Sequence, residues 1–476
     1  MKATPTADDS TPGSPLRGTD ASIRRWLALA SVEGAFANVF VILTGGAFLT
    51  GLALFSGAND VTIGLLAAIP FLAQVAQLLS AYLVDITGHR KSITIWASIV
   101  ARQIWWILVP LLLLVGRVRT DILLGTVAVS SIALMIANPA WMAWMADLVP
   151  QRIRGRYFGF RSTAVAVTTL LATIFGGIIL DHFHTIDEVP VGFAIIIAAA
   201  GTFALAAVIL LNKIPDRPSE EIRVPFHWAR LIAPFRDTGF RRLVSAFSFW
   251  NLAVGIAAAF YAVHMLTNLG MRFTQIAIYS SMTSIVAIGL NRPWGKLIDR
   301  FGSKPIIVLC ALGLTIVPLI WWIPRPGSIG ILWFEAVYSG ALWTGFNLGV
   351  FNIPITASPR EGRTMYLAAF SVVSGAAFFV ASLAGGVLAE NWSGLHWHLG
   401  RQIVVNYHLL FAVSALLRFV GAILFMRVHE PRETGLPVVV HHMSDAVLGQ
   451  LSHGRRILAW IWHKETNAAD AVDAER

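Results

Sequence analysis

Four ionisable side chains lie deep inside otherwise apolar stretches of this chain: Glu33, Arg102, Glu335 and Arg418. Charge is costly in such a setting. Groups that bear the cost pair with one another, line a hydrated path or exchange protons. Glu33 follows Arg25 by eight residues, and Arg102 follows Lys91 by eleven. At the rise of a helix these offsets put them roughly 12 and 16 Å in from the basic ends of their segments. Those depths suit a Glu33–Arg102 ion pair if the two helices are neighbours. Gln74 precedes Asp85 by eleven residues. It reaches the depth of Arg102 and is a second candidate partner. Glu335 enters from the opposite end, about 9 Å in from Ile329. It cannot share a site with Glu33 without a large tilt. The chemistry open to either carboxyl group is reversible protonation, and the alternative is a permanent ion pair.

The segments that position these groups follow from composition. Of 476 residues, 56% are hydrophobic and 13% are charged, and the mean hydropathy is +0.68. A soluble chain of this length needs more charge to cover its surface. A membrane-spanning helix needs roughly 20 mostly apolar residues. Twelve such runs are present, at 26–55, 61–84, 92–115, 122–146, 160–181, 189–212, 242–268, 274–298, 305–323, 329–356, 365–389 and 405–427. Pro70, Pro110, Pro139 and Pro354 fall within runs, which membrane helices tolerate. The expected architecture is all-α and membrane-integral.

The polar stretches divide the chain. Residues 1–23 are polar and read as a disordered tail. Residues 213–241 are the one long interruption and separate two six-run halves, 24–212 and 242–428. The tail 429–476 is polar, with a possible amphipathic surface helix over 443–463. The first apolar run is too long for a signal-peptide core and reads as an uncleaved span. The single cysteine, Cys310, allows no internal disulfide and no cysteine metal cluster.

Net charge is +10, and its placement points to lipid rather than nucleic acid. One set of loops holds nine basic residues: Arg90, Lys91, Arg152, Arg154, Arg156, Arg300, Lys304, Arg360 and Arg363. The opposite set holds five, Arg117, Arg119, Arg272, Arg325 and Arg401, and includes the acidic stretch 181–188. The excess places both termini and the central segment in the cytoplasm. Asp181, His182, His184 and Asp187 read as loop residues, and histidines two apart do not share a helical face.

The halves echo each other. LVDITGHRKS at 83–92 and LIDRFGSKPI at 297–306 each follow the second run of a half, and Asp85 and Asp299 lie 214 residues apart. PQRIRGRY at 150–157 and PREGRTMY at 359–366 each follow a fourth run. Such repetition marks transporters built from two repeats with a site between them. The second copy, Gly295-Lys296-Leu297-Ile298-Asp299-Arg300-Phe301-Gly302-Ser303-Lys304, resembles the G-x-L-A-D-R-x-G-R-K signature of the major facilitator superfamily. The first copy departs from it: Ala81 stands at the first glycine position and Ile86 replaces the arginine, while Asp85, Gly88, Arg90 and Lys91 are kept.

The resemblance implies twelve helices in two six-helix pseudo-symmetric bundles that alternate in access. It also implies a cytoplasmic latch formed by the two motifs with Arg154, Arg156 and Arg363, and a cavity lined by helices 1, 4, 7 and 10. Residues of those helices are Asn38; Asn138, Trp141 and Trp144; Trp250, Asn251, Tyr261 and His264; Tyr338, Trp343 and Asn347. They suit a sugar-like or amphipathic solute. Glu33 or Glu335 would then carry a coupling proton. The expected protein is a monomeric multi-pass transporter of the cell membrane that uses no cofactor or metal. A transporter-like sensor is the alternative. A membrane enzyme acting on lipid is a more distant one, as the chain has no HExxH, GxSxG or P-loop motif.

Overall fold

The computed structural model describes residues 16–149, 153–216, 234–358, 363–400, 402–428, 430 and 438–439. Among them, eleven helices are long and apolar enough to cross a membrane: α1 (Arg25–Phe55), α2 (Asp60–Val84), α3 (Arg90–Val115), α4 (Thr120–Met145), α5 (Tyr157–Thr185), α6 (Val189–Asn212), α7 (Thr238–Asn268), α8 (Phe273–Phe301), α9 (Ser303–Ile320), α11 (Tyr366–Asn391) and α12 (Asn406–Met426). The remaining span, α10 (Gly330–Ala357), has the length. Glu335, Ser339, Thr344, Asn347 and Asn352 interrupt its apolar run. The protein is an all-α membrane protein of twelve transmembrane helices.

Contacts within the two halves repeat six helices apart. In the first half α1 packs on α5 and α6, α3 on α4 and α6, and α2 on α4. In the second, α7 packs on α11 and α12, α9 on α10 and α12, and α8 on α10. The bundles meet where α2 packs on α11 and α5 on α8, pairs that the same repeat exchanges. A Cβ on Gly64 would stand 2.6 Å from the Ser382 carbonyl oxygen and 3.0 Å from the Gly386 Cα. Glycine at both positions is what lets the α2 and α11 backbones touch.

The helices depart from regularity where the sequence forces it. The first span breaks after Leu43 and restarts at Gly46, whose φ is 52°. In α3, a 3₁₀ stretch over Ile104–Ile107 precedes Pro110, which has no N–H for the Trp106 carbonyl. A π-helical turn over His264–Asn268 ends α7.

Two expectations change, and one element is added. The first helix starts at Leu16, so residues 16–23 are helical rather than part of a disordered tail. Extending a formed helix adds one hydrogen bond per residue fixed, at little cost. The stretch 181–188 is helical through Thr185 and not a loop. Between α11 and α12 the chain forms a small antiparallel hairpin, Trp397–Leu399 with Gln402–Val404, turning at Gly400. The expected surface helix at 443–463 and most of segment 213–241 lie outside the described residues.

Candidate functional site

Two clusters of buried charge occupy the two bundles. In the first, Glu33 of α1 is 2% exposed. Its Oε1 lies 3.8 Å from Arg102 Nη2 of α3, and its Oε2 lies 3.5 Å from Arg161 Nη2 of α5. The expected Glu33–Arg102 pair is present, and Arg161 is a partner that depth counting missed. Arg161 also donates to the Ala30 carbonyl and stacks over Trp141 at 4.5 Å. One carboxylate thus joins three helices. Gln74 is not in this cluster. It lies within the 3₁₀ turn of α2 and faces α11, where a Cβ on Gly375 would meet its Oε1 at 2.9 Å. Depth fixed its height but not its direction around the helix.

In the second bundle the charges stand apart around a cavity of about 360 Å³. Tyr261 and Met265 of α7, Tyr279 and Thr283 of α8, Glu335, Ser339 and Trp343 of α10, Arg418 of α12, and Trp321 line it. Glu335 is 1% exposed and accepts a 2.5 Å hydrogen bond from the Tyr279 hydroxyl. Arg418 is 2% exposed and donates from Nη1 to the Leu314 carbonyl at 3.2 Å. Its guanidinium lies 6.0 Å from the Trp343 ring. No carboxylate comes within 4.0 Å of Arg418 among the described residues.

Of the residues expected to line a cavity, Tyr261, Glu335 and Trp343 do so here. Trp250 instead packs into an aromatic core with Phe346 and Phe425, at centroid distances of 4.9 and 5.6 Å. His264 is buried 5.0 Å from the His408 ring, behind Trp321. Asn251 donates to the Phe247 carbonyl of its own helix at 2.8 Å. Asn38 ties α1 to α5 by donating to Thr169 Oγ1 at 2.8 Å and to the Val165 carbonyl at 3.2 Å. Trp144 and Tyr338 donate to the Pro215 and Gly313 carbonyls within their own bundles. Asn138 and Asn347 are exposed.

Both loop motifs turn at a glycine of positive φ, with different ψ. Gly88 ends α2 at φ 67°, and Gly302 separates α8 from α9 at φ 93°. Gly295 lies one helical turn before Asp299 in α8. Among the described residues Lys91 stays within its own bundle. Its ammonium donates at 2.8 Å to the Asn212 carbonyl and so caps the C-terminus of α6. Arg90 is half-buried; Asp299 and Arg300 are exposed, and the Arg300 guanidinium lies 5.1 Å from the Phe301 ring. The N–H groups of Ser303 and Lys304, at the start of α9, donate to the Glu430 carboxylate at 3.2 and 2.8 Å. The side chains of Asp85, Arg154, Arg156 and Arg363 lie outside those described.

At the opposite end the bundles are bonded to each other. The Asp181 carboxylate, at the end of α5, accepts from the N–H groups of Phe273 and Thr274 at 2.8 and 2.9 Å. It caps the positive N-terminus of α8. Asp60 of α2 accepts from the Tyr407 hydroxyl at 2.7 Å and from Asn406 at 3.2 Å, and its own N–H donates to Glu390 at 3.1 Å. Ser382 Oγ donates to the Gly64 carbonyl at 3.0 Å. Sequence reading missed Asp181, because the residue and the helix start it caps lie 92 positions apart in the chain.

Comparison with known proteins agrees with this architecture. The chain is 24% identical over 385 residues to the uncharacterized MFS-type transporter MJ1560 of Methanocaldococcus jannaschii, covering 78% of this chain and 90% of that one. A mutant of the nucleoside transporter NupG superposes with a TM-score of 0.69 at 12% identity, covering 85% of this chain and all of that one. The inward-open xylose transporter XylE of E. coli superposes with a TM-score of 0.62 at 13% identity, covering 88% of this chain and 99% of that one. At such identity these two superpositions speak for the fold alone. The Major Facilitator Superfamily model matches residues 34–358 and 243–462. With twelve helices in two repeated bundles, this chain belongs to that superfamily of membrane transporters.

Proposed function

We propose that the chain is a secondary transporter that moves a small organic solute across the cell membrane by alternating access, coupled to protons, and that it works as a monomer. The observation that carries the reading is Glu335, a buried carboxyl group on the wall of a cavity large enough for a metabolite-sized solute. Among the described residues no basic side chain lies within 4.0 Å of it. Taking up a proton there breaks no ion pair. Glu33 is the poorer carrier, because losing its charge would strand two guanidinium groups.

The loop charges support an orientation with both termini in the cytoplasm. The end bonded through Asp60 and Asp181 then faces outward and is closed in this conformation. In this reading the two loop motifs latch the cytoplasmic side in the opposite state. The test is solute uptake into proteoliposomes with and without an imposed pH gradient. Gradient-driven accumulation is expected in the wild type and absent in Glu335→Gln. Accumulation that ignores the gradient in the wild type would remove the coupling role.

A further inference from the structure

The cavity of the C-terminal bundle contains a cation that no carboxylate touches directly among the described residues, although Glu335 shares the cavity with it. Arg418 is buried among α7, α9, α10 and α12, with no carboxylate within 4.0 Å among the described residues. One guanidinium nitrogen is used on the Leu314 carbonyl. Its Nε–H and the hydroxyl of Tyr261 are buried without a hydrogen bond of normal geometry, although the two side chains lie within interaction range of each other. Both residues line the cavity. A desolvated guanidinium with an unused N–H is a strong site for a carboxylate, which accepts charge-assisted bonds in the guanidinium plane. Around it stand aromatic rings. Tyr261 lies 5.0 Å from Trp321, Tyr279 lies 5.9 Å from Trp321, and Trp343 faces Arg418 itself. Such walls favour a planar apolar body over a polyol.

We infer that this cavity binds a solute carrying one carboxylate on a flat apolar body, with the carboxylate on Arg418 and the Tyr261 hydroxyl. The inference rests on the reading of this cavity as the transport site. It adds a reason for coupling. A bound carboxylate and an ionised Glu335 would repel each other inside one small cavity, so the form of the site that admits the anion is the one with Glu335 protonated. Anion and proton then favour each other's binding by the same factor.

The test is binding to the purified full-length protein, read by intrinsic tryptophan fluorescence at mildly acidic and mildly alkaline pH. The probes are benzoate and indole-3-propionate, against benzamide, benzylamine and phenylalanine as neutral, cationic and zwitterionic counterparts. The carboxylates are expected to bind at least about tenfold more tightly than the others, a difference of about 1.4 kcal/mol, and more tightly at acidic pH. Arg418→Gln should abolish that binding, while Arg418→Lys should keep part of it. Glu335→Gln should bind equally at both pH values. Equal binding of benzamide, benzylamine or phenylalanine, or no binding of either carboxylate, would overturn the inference. If Arg418→Gln does not fold, the selectivity of the wild type decides alone. Selective carboxylate binding without gradient-driven uptake would uphold the anion site and defeat only the transport reading.

Discussion

The two bundles hold the same materials, a buried glutamate and buried arginine, and arrange them differently. In the N-terminal bundle Glu33 lies between Arg102 and Arg161, and the three side chains join α1, α3 and α5. In the C-terminal bundle Glu335 bonds to a tyrosine and Arg418 to a backbone carbonyl, with a cavity beside both. Burial of charge therefore does not by itself mark a site. Charges in contact with one another hold helices together. Charges kept apart around a space leave binding capacity for something else.

The largest effect that would sharpen this contrast is on stability. Glu33→Gln strands two guanidinium groups and is expected to destabilise the protein by about 3–5 kcal/mol, seen as a fall in thermal midpoint and in folded yield. A variant as stable as the wild type would break the contrast. Glu335→Gln keeps an oxygen for the Tyr279 hydroxyl and should leave the thermal midpoint nearly unchanged. It should cut gradient-driven accumulation at least about tenfold, equivalent to roughly 1.4 kcal/mol. A large stability loss with unchanged uptake would exchange the roles assigned to the two glutamates.

Smaller effects test the two ends of the molecule, which differ as the bundles do. Asp181→Asn removes a carboxylate charge from the N-terminus of α8 and should weaken that end by about 1 kcal/mol. The distance between spin labels at Thr185 and Arg272 should then show a larger separated population; an unchanged distribution would remove Asp181 from the gate. Asp299→Asn should act in the opposite sense and more weakly, by less than about 1 kcal/mol, because the residue is exposed here. Asp85→Asn is its counterpart in the repeat. Slower transport at equal expression is expected for both, and wild-type rates in both would end the latch reading.

Hydropathy alone determined a great deal of this protein. It set the number of spans, the polar break between the halves and the depth of each buried charge, because a bilayer admits few backbone solutions. The repeat was legible at Gly88 and Gly302, where a turn requires a positive φ. Depth along a helix is linear in sequence, so residue spacing alone matched Glu33 to Arg102. Direction around a helix depends on every kink and on which neighbours pack where. Only the tertiary structure turned Gln74 toward α11, brought Arg161 to Glu33, and put Trp250 into the aromatic core instead of the cavity. It alone set Asp181 and Glu430 against the starts of α8 and α9. Those contacts join residues far apart in the chain, and no local pattern encodes the meeting of two helix ends.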